Sequence, residues 1–462
     1  MKRRNFLQTI AYSSMGAGIS YSHPVNVFAQ KTSQLKPSGT LKRFGDGRDW
    51  FFDKRFGMFV HWGLYSIPGW HEQHLYRARV KRSEYVKLIN QWNPTRFDPH
   101  QWMDLMEEGG MKYLCITAKH IDGFCLWDTR QTSFNAMNTP YKRDIIGMLS
   151  DACHKRNIPL CLYYSIVDEN NPYYPNQGRS YELEPQPEDS PDQEKYLEFL
   201  RMQVKELCTN YGEIHGFWWD ANILGVKDPS FNEMIRKLQP KAVINNRGFD
   251  EGDFSTPERD YEKDDKISFD RPVEACQSVG MESWGYRKNE DYYNDRHLIR
   301  SIDRYLSRDA NYLLNVGPEP SGIIPEQSTK IVRNIGKWYH AVKESLENVE
   351  PASDLTSNAN VMLTKRKNTL YVHLNRDPEG NAVKLKPFKV APQSAVLLND
   401  GRKVDIEVNI APQDYREQQA YLRLTRLPTN ELCNTVLVIK LEFDRPPEEY
   451  VQSVSKPDSF KR

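Results

Sequence analysis

Short, nearly continuous apolar runs recur before residue 320, each separated from the next by a longer amphipathic stretch. They are Gly57-Met58-Phe59-Val60-His61, Tyr113-Leu114-Cys115-Ile116-Thr117-Ala118-Lys119-His120, Leu160-Cys161-Leu162-Tyr163-Tyr164-Ser165, Gly216-Phe217-Trp218-Trp219-Asp220, Ala242-Val243-Ile244-Asn245-Asn246 and Tyr312-Leu313-Leu314-Asn315-Val316-Gly317. An unbroken apolar run suits a parallel strand buried on both faces, whereas a strand with one wet face alternates. The stretches 83–90, 99–109, 144–156, 193–211 and 326–346 carry Leu, Ile, Met or Val at helical spacing, with Pro99 and Pro325 at first-turn positions. Strand–helix units repeated at this length predict an α/β chain whose main domain, 46–348, is a (β/α)8-like TIM barrel.

The pattern changes near residue 350. Val361-Met362-Leu363-Thr364 and Thr369-Leu370-Tyr371-Val372-His373-Leu374 alternate, and similar runs recur at 395–398, 420–424 and 435–443. Turn-forming stretches such as Asn375-Arg376-Asp377-Pro378 and Asn399-Asp400-Gly401 separate them. This predicts a small antiparallel β-sandwich over 349–448, followed by a tail, 449–462. At the other end, Lys2-Arg3-Arg4-Asn5-Phe6-Leu7 is a twin-arginine pattern, and a weakly apolar stretch follows it to about Tyr21. That stretch is too short to span a bilayer. With a cleavage site at Val27-Phe28-Ala29, residues 1–29 read as a signal peptide and 30–45 as a linker. The expected location is therefore periplasmic or secreted.

Sixty-three basic and 62 acidic residues leave a formal net charge of +1, which gives no footprint for nucleic acid or an anionic membrane. Seven cysteines include no C-x-x-C pair, so zinc knuckles and thioredoxin-like sites are excluded and free, buried thiols are expected.

Chemistry in a barrel gathers at the C-terminal ends of the strands. Here several runs end in a functional side chain: His61, His120, Tyr164, Asp220, and Arg247 just past its strand. Asp220 closes one of the most apolar runs of the chain, where an acid is costly unless something pairs with it or uses it. It reads equally as a helix cap. Glu258, in Asp253-Phe254-Ser255-Thr256-Pro257-Glu258, reads on its own as a surface acid beside Arg259. Two acids among Trp and Arg nevertheless point to hydrolysis of a sugar bond by a carboxylate pair. His61, His71, His74 and His120 lack the H-x-x-x-H and H-x-H spacings of zinc sites, so no metal is expected. No G-x-S-x-G elbow is present.

The chain resembles the α-L-fucosidases of glycoside hydrolase family 29. Phe56-Gly57-Met58-Phe59-Val60-His61-Trp62-Gly63 matches that family's first-strand motif. Lys119-His120-Ile121-Asp122-Gly123-Phe124 matches its K-H-H-D-G-F motif except at one position. Tyr163-Tyr164-Ser165, Trp218-Trp219-Asp220 and Leu313-Leu314-Asn315-Val316-Gly317-Pro318 match as well. The resemblance implies a retaining hydrolase of terminal α-L-fucosides on a glycan or glycoconjugate, with no cofactor. Asp220 stands where the family has its nucleophile, and Glu258 is assigned the acid/base role. His61, Glu72, His120, Tyr164, Trp218, Arg247 and Trp284 stand at sugar contacts, with Trp284 against the C6 methyl. Two departures alter the recognition shell: Ile121 replaces a second His, and Glu72-Gln73-His74 replaces Glu followed by Trp. The first favours a substituted fucose or related L-sugar, or else is offset by a neighbouring polar group. A catalytically weak sugar-binding homologue is the competing class, and a metallohydrolase a third.

Overall fold

The computed structural model describes residues 41–259, 269–410, 412 and 419–451, all within one compact unit. The expected signal peptide, most of the linker, and the tail from 452 lie outside the described residues. Residues 41–45, at the end of the expected linker, are packed on the barrel. The Leu41 N–H donates to Asp309 Oδ2 at 3.1 Å, and the Phe44 ring lies 5.0 Å from that of Phe52.

Among the described residues, seven parallel strands form the barrel wall: β1 (Phe56–Val60), β2 (Leu114–Lys119), β3 (Leu160–Ser165), β4 (Gly216–Asp220), β5 (Val243–Ile244), β6 (Glu274–Ser278) and β7 (Asn311–Val316), in the order β5-β4-β3-β2-β1-β7-β6. The gap between β5 and β6 is crossed by the segment 254–258. Phe254 bridges Asn245 on one side, while Ser255 and Glu258 bridge Val273 and Cys276 on the other. An irregular segment thus stands in the eighth position. Its Pro257 and short bridges explain why no apolar run announces it.

Every expected run contains a strand. Two-residue alternation decides which side chain faces where. Phe59, Cys115, Cys161, Tyr163, Trp218, Val243 and Leu313 pack together inside the barrel. Their neighbours Met58, Leu114, Leu162, Tyr164, Phe217 and Trp219 belong to the layer under the helices. Because both faces are buried, the runs read as continuous rather than alternating. The expected helices appear as Pro99–Glu108, Ile145–Arg156, Gln193–Thr209 and Glu326–Val342, and 83–90 becomes a short α-turn followed by a 3₁₀ stretch. Asp98, Asp144 and Asp192 cap three of them by accepting from first-turn N–H groups. Sequence reading missed β6, whose Glu274, Gln277 and Ser278 are polar yet buried. It also missed the helices Ser230–Leu238 and Asp295–Leu306.

Beyond the barrel, β8 (Glu350–Pro351), β9 (Met362–Arg366), β10 (Thr369–Leu374), β11 (Val383–Leu385), β12 (Ser394–Leu397), β13 (Asp405–Ile410), β14 (Ala420–Thr425) and β15 (Leu437–Glu442) form two antiparallel sheets, ordered β12-β15-β10-β9-β8 and β11-β14-β13. Leu363, Leu370, Val372, Ile439 and Leu441 face Leu385, Leu422 and Leu424 between them. The other face of the larger sheet lies on the barrel, where Tyr371, Val436 and Val438 join the barrel core. At that junction His373 Nδ1 meets Asp303 Oδ1 at 2.6 Å, both side chains fully buried, and Asn375 Nδ2 donates to Asp303 Oδ2 at 2.8 Å. Asp303→Ala strands two buried polar side chains and is expected to cost about 3 kcal/mol in urea unfolding. A loss under about 1 kcal/mol would show that the junction does not depend on this pair.

Candidate active site

Asp220 is the last residue of β4, paired in register with Ser165 of β3, and shares the inner face with Trp218. It caps no helix: the next begins at Ser230, with Pro229 in the cap position. Both its oxygens are held. Oδ1 accepts from Arg247 Nη1 at 3.1 Å, and Oδ2 accepts from the Tyr163 hydroxyl at 2.8 Å. Burial, and next the Asp220 charge, push the Tyr163 phenol well above its usual range, so it stays a donor.

Arg247 leaves the end of β5 and fastens the closing segment. Nε donates to Thr256 Oγ1 at 2.6 Å, Nη2 to the Thr256 carbonyl at 2.9 Å, and Nη2 also to Glu258 Oε2 at 3.0 Å. Its guanidinium lies 4.7 Å over the Trp218 ring, a cation–π contact. Burial alone would lower its pKa, but the carboxylates of Asp220 and Glu258 raise it above the usual value. Both acids are therefore gripped by the terminal nitrogens of one planar fork. The Glu258 side chain is 40% exposed against 27% for Asp220, so Glu258 stands nearer the open side.

Around the pair, His61 and Trp284 stand with rings 5.3 Å apart, and His120 stacks on Tyr163 at 5.5 Å and 5°. Asn315 Nδ2 donates to Ser278 Oγ and to the Trp284 carbonyl, so its Oδ1 must accept the 2.7 Å bond from His61 Nδ1. That network assigns the proton to Nδ1 and leaves Nε2 an acceptor, suited to a hydroxyl. Burial lowers His61 to about 3 and His120 to about 4, so both rings are neutral at physiological pH. Burial would raise the Glu72 carboxyl, yet the rings of His71, His120 and His61 draw it down to about 2. Where His61 and His120 are uncharged, the anion is held by hydrogen bonds instead. Oε2 accepts from Ser283 Oγ at 2.8 Å and from the N–H groups of Trp284 and Gly285 at 2.9 and 3.3 Å. Gly317 lets the loop bearing these donors approach, since a Cβ there would lie 2.4 Å from the Gly285 carbonyl carbon. Beneath the pocket, burial raises Glu274 to about 7; it accepts from Trp218 Nε1 at 2.9 Å and Tyr113 OH at 2.6 Å, which fixes the indole.

His61, Glu72, His120, Trp218, Asp220, Arg247, Glu258 and Trp284 all line one pocket, of about 680 Å³ including its mouth. Ile121 lines it too. Tyr164 does not: it points out of the barrel, and its hydroxyl donates to Gln203 Oε1 on the helix Gln193–Thr209. The correction is one residue, because alternation along β3 puts Tyr163, not Tyr164, on the face of Trp218 and Asp220. Reading that alternation against Trp218-Trp219-Asp220 would have found it. Sequence reading also assigned no role to Asn315, Thr256 and Glu274, which touch pocket residues from behind. Among the described residues, the histidines gather into no set of metal ligands.

A carboxylate pair on a shared guanidinium, in an aromatic pocket at the C-terminal ends of barrel strands, defines the site of a glycoside hydrolase. Comparison with known proteins agrees. The family model described as Alpha-L-fucosidase matches residues 26–344, and the chain belongs to that family, glycoside hydrolase family 29. It is an α-L-fucosidase-type hydrolase. It is 25% identical to the tissue alpha-L-fucosidase of Rattus norvegicus over 76% of this chain and 80% of that protein. Among solved structures, alpha-L-fucosidase isoenzyme 1 from Paenibacillus thiaminolyticus shares 32% identity, with a TM-score of 0.75 over 86% of this chain and 99% of that one. A family 29 alpha-L-fucosidase from Bacteroides thetaiotaomicron, trapped as a covalent intermediate with 2-fluoro-fucosyl fluoride, shares 29%, with a TM-score of 0.74 over 88% and 98%.

The two tyrosines separate function from packing. Tyr163→Phe removes the donor on Asp220 and is expected to lower kcat/KM on an aryl fucoside about tenfold with little change in stability. Tyr164→Phe is expected to cost about 1 kcal/mol of stability and to leave kcat/KM within about twofold. The opposite pattern would return the role to Tyr164. Acid should also unfold the protein early. His61 and His120 lie below their free value of 6.5, so the unfolded chain binds protons that the fold excludes. Their contribution is complete above pH 6.5 and is lost as pH falls toward 4 and then 3. Unfolding free energy measured in urea should fall between pH 6.5 and about 5, before most carboxylates titrate, and His120→Gln should flatten that slope.

Proposed function

We propose that the protein removes terminal α-L-fucose from glycans or glycoconjugates with retention of configuration. Asp220 is the nucleophile and Glu258 the acid/base. Asp220 attacks the anomeric carbon while the Glu258 carboxylic acid gives its proton to the departing oxygen, leaving a fucosyl ester on Asp220. Glu258, now a carboxylate, takes a proton from water as that water attacks the anomeric carbon and breaks its bond to the Asp220 oxygen. Fucose leaves, and both residues return to their starting states.

The observation that carries this reading is the shared Arg247 fork. Before the first step the negative charge is on Asp220 and the proton on Glu258; after it Asp220 is an ester and Glu258 is the anion. One negative charge passes between two groups bound to the same guanidinium. Retention calls for carboxyl groups about 5–5.5 Å apart, and a common fork favours such closeness. The covalent intermediate of the Bacteroides relative supports the same route. Both carboxylates act directly, so the cycle as proposed uses no metal or organic cofactor. The twin-arginine pattern at Lys2-Arg3-Arg4 supports export to the periplasm or beyond.

A second reading concerns the sugar itself. Ile121 lines the pocket beside His120, where an imidazole would offer a hydrogen bond. An apolar wall there favours a substituted hydroxyl, such as a 2-O-methyl ether, over a free one. Aryl glycosides of fucose, 2-O-methylfucose and L-galactose decide it, and a clear preference for unmodified fucose removes this reading.

Asp220→Gly is expected to lower kcat on an aryl fucoside by on the order of a thousandfold. Azide should then restore turnover and yield the inverted fucosyl azide, identified by NMR. Near-wild-type turnover in the variant would take the nucleophile's role from Asp220. Glu258→Ala should slow fucosides with poor leaving groups far more than those with good ones. Equal losses on both would move the acid/base role elsewhere.

A further inference from the structure

A groove opens beside the catalytic pocket, between the stretch 70–82 and the loop 178–186. Two contacts make them continuous. Tyr181 lines both. Gln73 of the pocket accepts a 2.5 Å hydrogen bond from Arg77 Nε of the groove. An exo-acting enzyme keeps one sugar in its pocket, so the rest of the substrate must lie against whatever adjoins the mouth.

The groove has an uneven charge in a chain that is otherwise balanced at 63 basic and 62 acidic residues. Arg77, Arg79 and Lys81 line it and form no ion pair among the described residues. Arg82 is committed, to Glu188 and Asp189. Of the carboxylates in the lining, Glu182 is taken by Arg179 and the Tyr174 hydroxyl. That leaves Glu184 against three free cations. Unpaired cations on a shared wall repel one another, and an anionic ligand relieves that cost.

The same wall carries large exposed rings. Trp70 is 42% and Tyr181 37% exposed, and the Tyr76 ring lies 6.4 Å from that of Tyr181. Tyr181 is held at φ +66°, in the left-handed region that a bulky side chain rarely adopts. Backbone strain of this kind gathers at ligand clamps. Exposed rings flanked by free cations match a saccharide that presents C–H faces and negative groups.

We propose that this groove binds the leaving-group side of the substrate, and that this part is an anionic saccharide bearing sulfate esters or uronate carboxylates. The inference rests on the fucosidase reading above and adds the chemical class of the aglycone. Trp70 and Tyr181 stack on its rings, and Arg77, Arg79 and Lys81 meet its anions.

The test compares kcat/KM for α-L-fucosyl-galactose, the same disaccharide sulfated on galactose, and α-L-fucosyl-galacturonate, with p-nitrophenyl α-L-fucoside as control. At low ionic strength at least one anionic substrate should exceed the neutral disaccharide by about tenfold, and added salt should shrink the difference. Whichever anionic substrate leads identifies the anion. Arg79→Ser with Lys81→Ser should bring the anionic substrates down to the neutral value and leave the aryl fucoside within about twofold. Hydrolysis of the aryl fucoside without any anionic preference overturns the groove inference alone. So does a double variant that slows neutral and anionic disaccharides equally. A wild type inert toward the aryl fucoside overturns the fucosidase reading and this inference with it.

Discussion

One guanidinium holds this site in shape. Arg247 springs from the end of β5, ties the segment 254–258 through Thr256, and divides its terminal nitrogens between Asp220 and Glu258. The segment it ties also spans the gap between β5 and β6. Closing the barrel and bringing Glu258 to Asp220 are therefore consequences of the same set of bonds. The aromatic face of Trp218 under the guanidinium fixes its height, and Glu274 fixes Trp218 in turn.

The other side of the pocket is organised by neutral donors rather than by charge. Asn315 sets the tautomer of His61, and the loop after β6 wraps three donors around Glu72. Burial keeps both imidazoles neutral, and the bond to Asn315 fixes the sense in which His61 can hydrogen-bond. Apart from the Glu72 carboxylate, the charge of the pocket is then concentrated at Asp220, Glu258 and Arg247.

The barrel was legible because its strands are buried on both faces, which turns them into continuous apolar runs separated by helical spacing. β6 was not legible for the opposite reason. Glu274, Gln277 and Ser278 face buried partners, so polarity there reports a hydrogen-bond network and not exposure to water. Asp220 and Arg247 could be found from their places at strand ends. Glu258 sits on a segment with no periodicity and reads on its own as a surface acid, so its assigned role came only from the family resemblance. The Tyr164 assignment failed on parity: a continuous apolar run hides which of two adjacent tyrosines faces inward, and the register with β4 supplies the answer. Asn315 lay within a matching motif, but its role depends on three partners that are far apart in the chain.

The sheet that packs one face on the barrel and the other on its partner sheet bears on the order of synthesis. Asp220, Arg247 and Glu258 all leave the ribosome before the helices Asp295–Leu306 and Glu326–Val342, and those helices remain uncovered until β10 and β15 arrive. Trp338 waits for the Val436 carbonyl, and Asp303 waits for His373. A nascent chain halted near residue 350 would carry every pocket side chain and still present an apolar flank to chaperones. Among the described residues, the last hundred or so contribute no group to the pocket, yet they supply the cover for the apolar flank that the finished barrel leaves open.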